Sequence, residues 1–445
     1  MNRDLDLLED LVGRAKRAGA DAADAVLIEG VHIAHHHRLG VVEKLERSEH
    51  REIGLRAFVG KQVAAVSSTD EASGALDELV ARAVAMARSV PEDSLAGLAE
   101  PGWLAGQAPD LDIDDNDEPS PEVLATRAGA AEDAARAVAG VTNSDGAEAE
   151  WGRWRVGIAA SNGFAGAYGR TQSSISAAVL AGEGLGMERD YAASSQVHVE
   201  DLEDATEIGR RAGERAVRRL NPRRMPNARV PVIFDRRIAN SLLRNLTEAI
   251  NGASIARGVS FLKDKMGEAV FAPGITIRDD PHKPRGLYSK PFDGEGVGCA
   301  PRAVIKDGRL TTWLLDCRSA RQLGLESTGH AMRGANTPPA PGPTNFWLEK
   351  GTVTPEAMIA EIESGLLINE LIGFGINAST GDYSRGASGF WIEKGEIAYP
   401  VSEITVAGNL KDMFACLVPA DDLKFRTGVD SPTVRIDGMT VAGGG

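Results

Sequence analysis

The chain of 445 residues is 42% hydrophobic and 25% charged, and its formal net charge is −15. This length predicts two or three domains with separate cores, while the acidic balance argues against a nucleic-acid-binding protein, because phosphate contacts depend on Lys and Arg. The first twenty residues lack the apolar core of an export signal and no apolar run could span a bilayer, so we expect a cytoplasmic protein without membrane contact.

The N-terminal part, residues 1–225, is predicted to form an α+β domain of antiparallel strands with flanking helices. Residues 4–18 show the amphipathic pattern of a helix, and residues 24–67 alternate as four strands of a meander would. Ser68 and Glu71 have the spacing of a capping box at the start of the next helix.

A connector at 91–121 is rich in Pro and Asp and is predicted to be exposed to solvent. Its acidic run does not form an EF-hand loop, because Asp115 and Pro121 stand where that loop needs Gly and Glu. The elements predicted next are a helix from Ser120-Pro121 to residue 138, strands over 151–199 with a hairpin turn at Asn162-Gly163, and a helix over 201–220.

The C-terminal part, residues 226–445, is predicted to be a strand-rich, barrel-like domain. Its predicted helices lie at 235–250, 318–324 and 355–364. A Gly- and Ser-rich loop at 379–389 precedes a hairpin with its turn at Lys394-Gly395, and Asn409 is placed to cap a further helix. A loop held between regular elements suits a functional site, and equally suits turn chemistry alone.

Three segments of the chain are similar to one known family. They are TGDYSRGASGFWIEKGEIAYPVSEITVAGNLKDMF at 380–414, STGHAMRG at 327–334 and GLRAFVGKQVAAVSSTD at 54–70. On these segments the chain resembles the TldD/PmbA family, and specifically its PmbA branch, also called TldE. The likeness extends in order over nearly the whole chain.

The resemblance implies a two-part α+β protein that assembles in pairs around a cavity. A TldD-type subunit and a PmbA-type subunit would form a zinc metallopeptidase acting on unfolded peptides, including the leader peptides of antimicrobial peptides. In the TldD-type subunit a helix carries His-Glu-x-x-x-His and a loop carries Cys. Two imidazoles and a thiolate would hold zinc and leave one position for water, with the Glu as general base.

This chain lacks those groups at the matching positions. Arg244 and Asn245 stand in place of the first His and the Glu, and Ala249 stands in place of the second His. Gly386 replaces the loop Cys, and a guanidinium cannot bind a metal because it stays protonated. The resemblance therefore implies no catalytic residue, metal ligand or cofactor in this chain, with zinc held by a TldD-type partner in a heterodimer. Whether the isolated chain forms a homodimer stays open.

The loop offers one set of candidates for contact with a peptide or a partner. The set consists of Asp382, Tyr383, Ser384 and Arg385. Asp382 and Ser384 are also typical of tight turns, and the spacing around Ser384 differs from the Gly-x-Ser-x-Gly elbow of a nucleophile. We therefore interpret the set as a contact surface and not as a catalytic group.

Histidine offers the other candidates. His330, with Glu326 four residues before it, could transfer protons or could orient a loop by hydrogen bonds. A cluster near the N-terminus, interpreted as a solvated strand face with a weak metal site as the alternative, consists of His32, His35, His36 and His37.

Two other functions stay open at this point. The family resemblance also allows a non-enzymatic interaction protein that modulates DNA gyrase, and the acidic charge permits binding to a DNA-acting protein while disfavouring DNA itself. The remaining alternative is a homodimer with its own chemistry, built on His330 and the 379–389 loop.

Overall fold

The computed structural model describes residues 2–107 and 109–443 and shows an α+β protein with one sheet in the N-terminal half and several in the C-terminal half. The elements of the N-terminal half are α1 (Asn2–Arg17), β1 (Ala22–Arg38), β2 (Val41–Val59), β3 (Gln62–Ser68), α2 (Ser73–Ala87), α3 (Pro121–Arg136), β4 (Val141–Ala160), β5 (Ala165–Ala181), β6 (Glu188–Gln196) and α4 (Ala205–Arg218).

The strands of this half form one antiparallel sheet in the order β3-β2-β1-β4-β5-β6. Successive side chains of a strand point to opposite faces, and odd-numbered residues of β1 such as Leu27 and Ile33 pack against the helices. Even-numbered Val26 instead packs with Phe292 and Ala335 of the C-terminal half. One face of the sheet is therefore covered by helices, and the base of the other face by the rest of the chain.

The predicted four-stranded meander is wrong, because residues 22–68 form only three strands. Strands β1 and β2 make one long hairpin whose two-residue turn is Leu39-Gly40, with φ of 52° and 78°, the backbone of a type I′ turn. Residues 39–50 are all exposed at its far end. The apolar alternation fades there, which sequence pattern alone cannot distinguish from the end of a strand.

Two further predictions for this half are corrected. Helix α2 begins at Ser73 without a side-chain cap, and the Ser68 hydroxyl instead hydrogen-bonds with Asp70, so the capping box is wrong. The connector is only partly exposed, since Leu111 and Ile113 are buried. The helix from Pro121 and the turn between β4 and β5 are confirmed.

The C-terminal half contains a barrel and a smaller sheet. Its elements are β7 (Ala228–Phe234), α5 (Arg236–Ala249), α6 (Gly252–Ala256), β8 (Ile277–Asp280), β9 (Arg302–Lys306), β10 (Arg309–Leu310), α7 (Cys317–Leu323), β11 (Ala331–Met332), β12 (Ala340–Pro341), β13 (Asn345–Leu348), α8 (Pro355–Ala360), β14 (Ser364–Ile372), β15 (Asp382–Glu393), β16 (Glu396–Asn409), α9 (Leu410–Ala415), β17 (Val418–Pro419), β18 (Val429–Asp430) and β19 (Val434–Gly443).

Five strands close the barrel, in the order β16-β15-β14-β7-β19, because β19 also pairs with β16. The predicted barrel-like domain is therefore confirmed. The second sheet has the order β10-β9-β8-β13-β18. Helix α5, capped by Asp235, contributes Leu242 and Leu246 to the core shared with the barrel. The division of the chain at residue 226 stays a prediction.

Part of the predicted loop is in fact strand. Strand β15 already begins at Asp382, so only residues 379–381 precede it as a turn. Helix α8 ends at Ala360, before the predicted end at 364, and strand β14 already begins at Ser364. The Lys394-Gly395 turn and the Asn409 cap are confirmed, the latter by a 3.1 Å hydrogen bond from Lys411 N. Across residues 2–107 and 109–443, no helix combines the length and apolarity needed to cross a membrane.

Candidate functional site

The positions that the sequence matched to a metal site lie on helix α5 and on strand β15 of the barrel. Helix α5 and strand β15 share one hydrophobic core, to which Ala249 contributes from the helix and Tyr383 from the strand. Gly386 lies on β15 opposite Ile372 of β14. Arg244 is exposed, so that its side chain points away from this core.

Two of the four matched positions, Ala249 and Gly386, contribute only to packing. Ala249 is 2% exposed and presents only a methyl group, and a side chain at Gly386 would meet Ile372 at 3.3 Å. The Nδ2 atom of Asn245 is buried without a hydrogen-bond partner among the described residues. Nowhere in the described part of the chain do three His, Cys, Asp or Glu side chains form a group that could hold a metal ion.

The predicted contact residues at the start of β15 differ from one another in solvent exposure. Asp382 is exposed and accepts hydrogen bonds from Thr380 Oγ1 at 2.6 Å and Asn409 Nδ2 at 3.0 Å, which together lower its pKa. Asp382 therefore connects the turn at 379–381 to the N-terminus of α9 through hydrogen bonds. Ser384 is exposed, whereas Tyr383 is 1% exposed inside the barrel core, and burial raises the pKa of Tyr383.

Arg385 connects the strand to an exposed loop. Its side chain is half-buried, and the guanidinium carbon lies 5.9 Å from the ring centre of Phe374. Phe374 is fully exposed and Ile372 is 56% exposed. Exposed apolar side chains grouped in this way are typical of an interaction surface. Peptide or partner contact by Asp382, Ser384 and Arg385 stays a prediction.

His330 is buried, and both of its ring nitrogens have hydrogen-bond partners. Its Nε2 lies 3.0 Å from Asp279 Oδ2 and its Nδ1 lies 2.8 Å from Thr328 Oγ1. Among the described residues, the predicted partner Glu326 forms no hydrogen bond or ion pair with His330, and Asp279 is the carboxylate beside the ring. Thr344 donates its N–H and its hydroxyl to the same carboxylate. His330 is 2% exposed, so this group joins strand β8 to the loops around β11.

The histidine cluster is divided between the two faces of the sheet. His36 Nε2 lies 2.6 Å from Glu148 on the open face, but His35 is 3% exposed on the helix face, and His37 Nδ1 lies 2.9 Å from the fully buried Glu132. The predicted solvated strand face is therefore wrong for His35 and His37. Carboxylates from neighbouring elements, which the sequence alone did not place nearby, satisfy His36 and His37.

A buried ionic group joins the two halves of the chain. Asp24 of β1 accepts a hydrogen bond from Arg56 Nε at 3.1 Å and lies 2.8 Å from Arg333 Nη1. Arg56 Nη2 also lies 3.5 Å from Glu295. Burial, the largest influence on Asp24, raises its pKa, but the two guanidiniums outweigh it and hold that pKa below its ordinary value. Sequence reasoning missed this group because its members are far apart in the chain.

Known protein families match this chain over most of its length. Models of the PmbA/TldA metallopeptidases match in order: domain 1 at 23–87, the central domain at 114–220 and the C-terminal domain at 227–443. The metalloprotease PmbA of Escherichia coli O157:H7 is 38% identical over 443 residues, covering 98% of this chain and 96% of that protein.

Solved structures show the same fold. A Bacteroides thetaiotaomicron protein, named as a proposed modulator of DNA gyrase, superposes with a TM-score of 0.91 at 25% identity, over 100% of this chain and 99% of that one. TldE from Thermococcus kodakarensis superposes with a TM-score of 0.89 at 20% identity, over 98% of this chain and 100% of that one.

Proposed function

Because the chain belongs to the PmbA/TldD metallopeptidase family, we propose that it is the metal-free subunit of a cytoplasmic peptidase complex. A TldD-type partner supplies zinc and the general base, and this chain supplies walls and peptide-binding surface. The substrate class is unfolded peptides, including leader peptides that are removed during maturation.

One observation carries this proposal: the side chains at the four positions matched to a zinc site cannot bind zinc. Structural and catalytic zinc sites use thiolate, imidazole and carboxylate ligands. This chain has a guanidinium at Arg244, an amide at Asn245, a methyl group at Ala249 and no side chain at Gly386. A carboxamide also cannot serve as the base that activates a metal-bound water.

The surfaces of the chain support a partner role. The far end of the β1–β2 hairpin exposes Leu39, Val41, Val42 and Leu45, each more than half exposed, and the loop after β14 exposes Phe374. A protein that works alone rarely leaves such apolar side chains grouped on a long projection. These surfaces are where we place the contacts with a TldD-type subunit.

Reconstitution tests the proposal. The purified chain and a TldD-type subunit are incubated with an unfolded, fluorogenic peptide, separately and mixed. We expect no hydrolysis by this chain alone, and chelator-sensitive hydrolysis by the mixture that exceeds that of the TldD-type subunit alone. Chelator-sensitive hydrolysis by this chain alone would contradict the proposal.

The name of the Bacteroides relative supports a second candidate, a regulator of DNA gyrase. The net charge of −15 disfavours direct DNA binding, so such a regulator would bind the enzyme. Capture of gyrase by the purified chain, in the absence of a TldD-type subunit, would favour this second function. Capture of a TldD-type subunit without gyrase favours the first.

A further inference from the structure

A cavity of about 290 Å³ lies where the open face of the N-terminal sheet meets the C-terminal half. Strands β1, β4 and β5 form one wall, and the segment 288–294 with the residues around β11 forms the other. Val26, Ile158 and Ala331 are its buried apolar members, while Tyr288 and Met332 of the lining are exposed. Its volume lies just below the range of about 300–1,000 Å³ that is usual for small-ligand sites.

Two cations of the lining, Arg170 and Lys290, form no ion pair with a carboxylate among the described residues. Arg170 donates from Nη2 to the carbonyl of Leu287, and Lys290 Nζ donates to the carbonyl of Ala331 at 3.3 Å. Within residues 2–107 and 109–443, neither has a carboxylate within 4.0 Å. Burial lowers the pKa of Arg170, because the charged form is poorly solvated there. A half-buried guanidinium without a counter-ion is costly unless an anion joins it.

The other charged side chains around the cavity already have partners within the protein. Arg333 pairs with Asp24 at 2.8 Å, a carboxylate that it shares with Arg56. Asp293 is 1% exposed, and it accepts backbone N–H groups from Glu295, Val297 and Ala331 at 2.8–3.0 Å. The positive charge of Arg170 and Lys290 therefore exceeds the negative charge that the cavity itself provides.

We propose that this cavity binds the terminal carboxylate of a peptide whose last side chain is apolar. A guanidinium offers the paired donors that fit a carboxylate, and Lys290 adds a second positive charge on the opposite wall. The buried apolar members of the lining take up the side chain. A free small carboxylate has the same chemistry; the choice of a peptide end rests on the proposed function.

Binding to the purified full-length chain tests this site without any hydrolysis or partner. The probe is a fluorescein-labelled hexapeptide that ends in leucine, used with a free C-terminal carboxylate and with a C-terminal amide, and read by fluorescence anisotropy. We expect the free acid to bind at least about tenfold more tightly than the amide. Equal affinities would overturn the proposal, and this comparison needs no variant protein.

Matched variants locate the binding. Arg170→Met and Lys290→Met should each remove most of the preference for the free acid, while Lys306→Met, which removes an exposed cation outside the cavity, should keep it. Retention of the full preference in both cavity variants would contradict the site, provided that their circular dichroism and unfolding midpoints match the parent.

Competition distinguishes the two sources of carboxylate. Displacement of the labelled peptide by N-acetylleucine at a similar concentration to the unlabelled peptide supports the site and assigns it to small carboxylates. Displacement only by the peptide assigns it to a chain end. Equal displacement by inorganic phosphate would show a general anion site and would contradict the proposal. Failure of peptide hydrolysis by the reconstituted complex would leave all of these results unchanged.

Discussion

Arg333 Nη1 lies 2.8 Å from Asp24 Oδ1, in an ion pair whose two side chains are 1% and 3% exposed. This pair joins the loop after β11 to the first strand of the N-terminal sheet. Arg56 donates to the same carboxylate, so one aspartate is the common partner of two guanidiniums. We expect the junction between the halves of the chain to depend on it.

Replacement of Asp24 should therefore destabilise the protein strongly. Asp24→Asn leaves two buried guanidiniums short of a counter-ion, and breaking a buried pair in this way costs about 3–5 kcal/mol. Urea unfolding followed by circular dichroism measures the loss. The control is Asp10→Asn, whose carboxylate pairs with Arg14 at the surface and should change the free energy of unfolding by about 1 kcal/mol or less. Equal effects of the two substitutions would contradict the importance of the junction.

Asp279 should make stability depend on pH in the acid range. Burial, the largest influence, raises the pKa of Asp279, but contacts with His330 and Thr344 outweigh it and hold that pKa below its ordinary value. Its stabilising contribution is then present above the unfolded-state pKa of about 3.9 and is lost as pH falls through the lower folded-state pKa.

The measurement compares the free energy of unfolding between pH 3 and pH 7 for the parent and for Asp279→Asn. The variant should be less stable at pH 7 and should lose less stability on acidification. A variant with the acid dependence of the parent would show that the contacts with His330 and Thr344 do not set the titration.

Carboxylate binding in the cavity should weaken as pH rises through neutrality. Burial, assisted by the neighbouring Glu295, raises the pKa of Asp293 to about 7. Ionisation of Asp293 adds a negative charge beside the site, while the peptide carboxylate itself stays ionised between pH 6 and pH 8. The titratable and charged groups near Asp293 are Lys290, Glu295, Tyr168, Cys299 and Cys317, and the cavity lining adds Arg170, Arg333 and Tyr288. Burial raises the pKa of Tyr168 and of both thiols, so these three groups stay neutral over this range.

We expect the affinity for the free-acid hexapeptide to fall by about three- to tenfold from pH 6 to pH 8. The amide peptide should show no such change. In Asp293→Asn the amide oxygen can still accept the N–H groups of Glu295 and Val297, while the Ala331 N–H loses its acceptor. Because the amide does not ionise, this variant should bind the free acid equally at both pH values. A parent affinity that rises with pH would reverse the predicted sign.

Phe374 should contribute to association with a TldD-type subunit. Its side chain is fully exposed beside Arg385, and aromatic side chains with neighbouring Arg are typical anchors of interfaces. Phe374→Ser should weaken association by about fivefold or more without lowering the unfolding midpoint. Met86→Ser, at a 43% exposed position on α2, is the control and should leave association unchanged. Biosensor titration with the partner measures both, and equal affinities of parent and Phe374→Ser would exclude this loop from the interface.

Local chemistry explains which elements were predictable from sequence. Proline at the start of α3, the Lys394-Gly395 turn and the Asn409 cap each act within a few residues, so their signals are complete in a short window. The long hairpin was missed because its far end has no buried face to impose alternation. The residue types at the four matched positions were readable from the sequence, and the choice of those positions came from the family resemblance.

Pairings between side chains that are far apart in the chain could not be predicted from the sequence. The partner of His330 is Asp279 on β8, and the partner of Arg333 is Asp24 on β1. Neither pairing follows from spacing, because sheet order and the packing of the two halves decide which strands meet. The cavity with Arg170 and Lys290 has the same origin, since its two walls come from opposite halves of the chain.

Metal content tests the central claim most directly. The chain, purified without a partner and dialysed against zinc-containing buffer, is analysed for zinc by elemental analysis, and the reconstituted complex is treated identically. We predict no stoichiometric zinc in the chain alone and about one zinc per heterodimer in the complex, as a single site of three protein ligands in the partner requires. One firmly held zinc per chain in the isolated protein would contradict the assignment of a metal-free subunit.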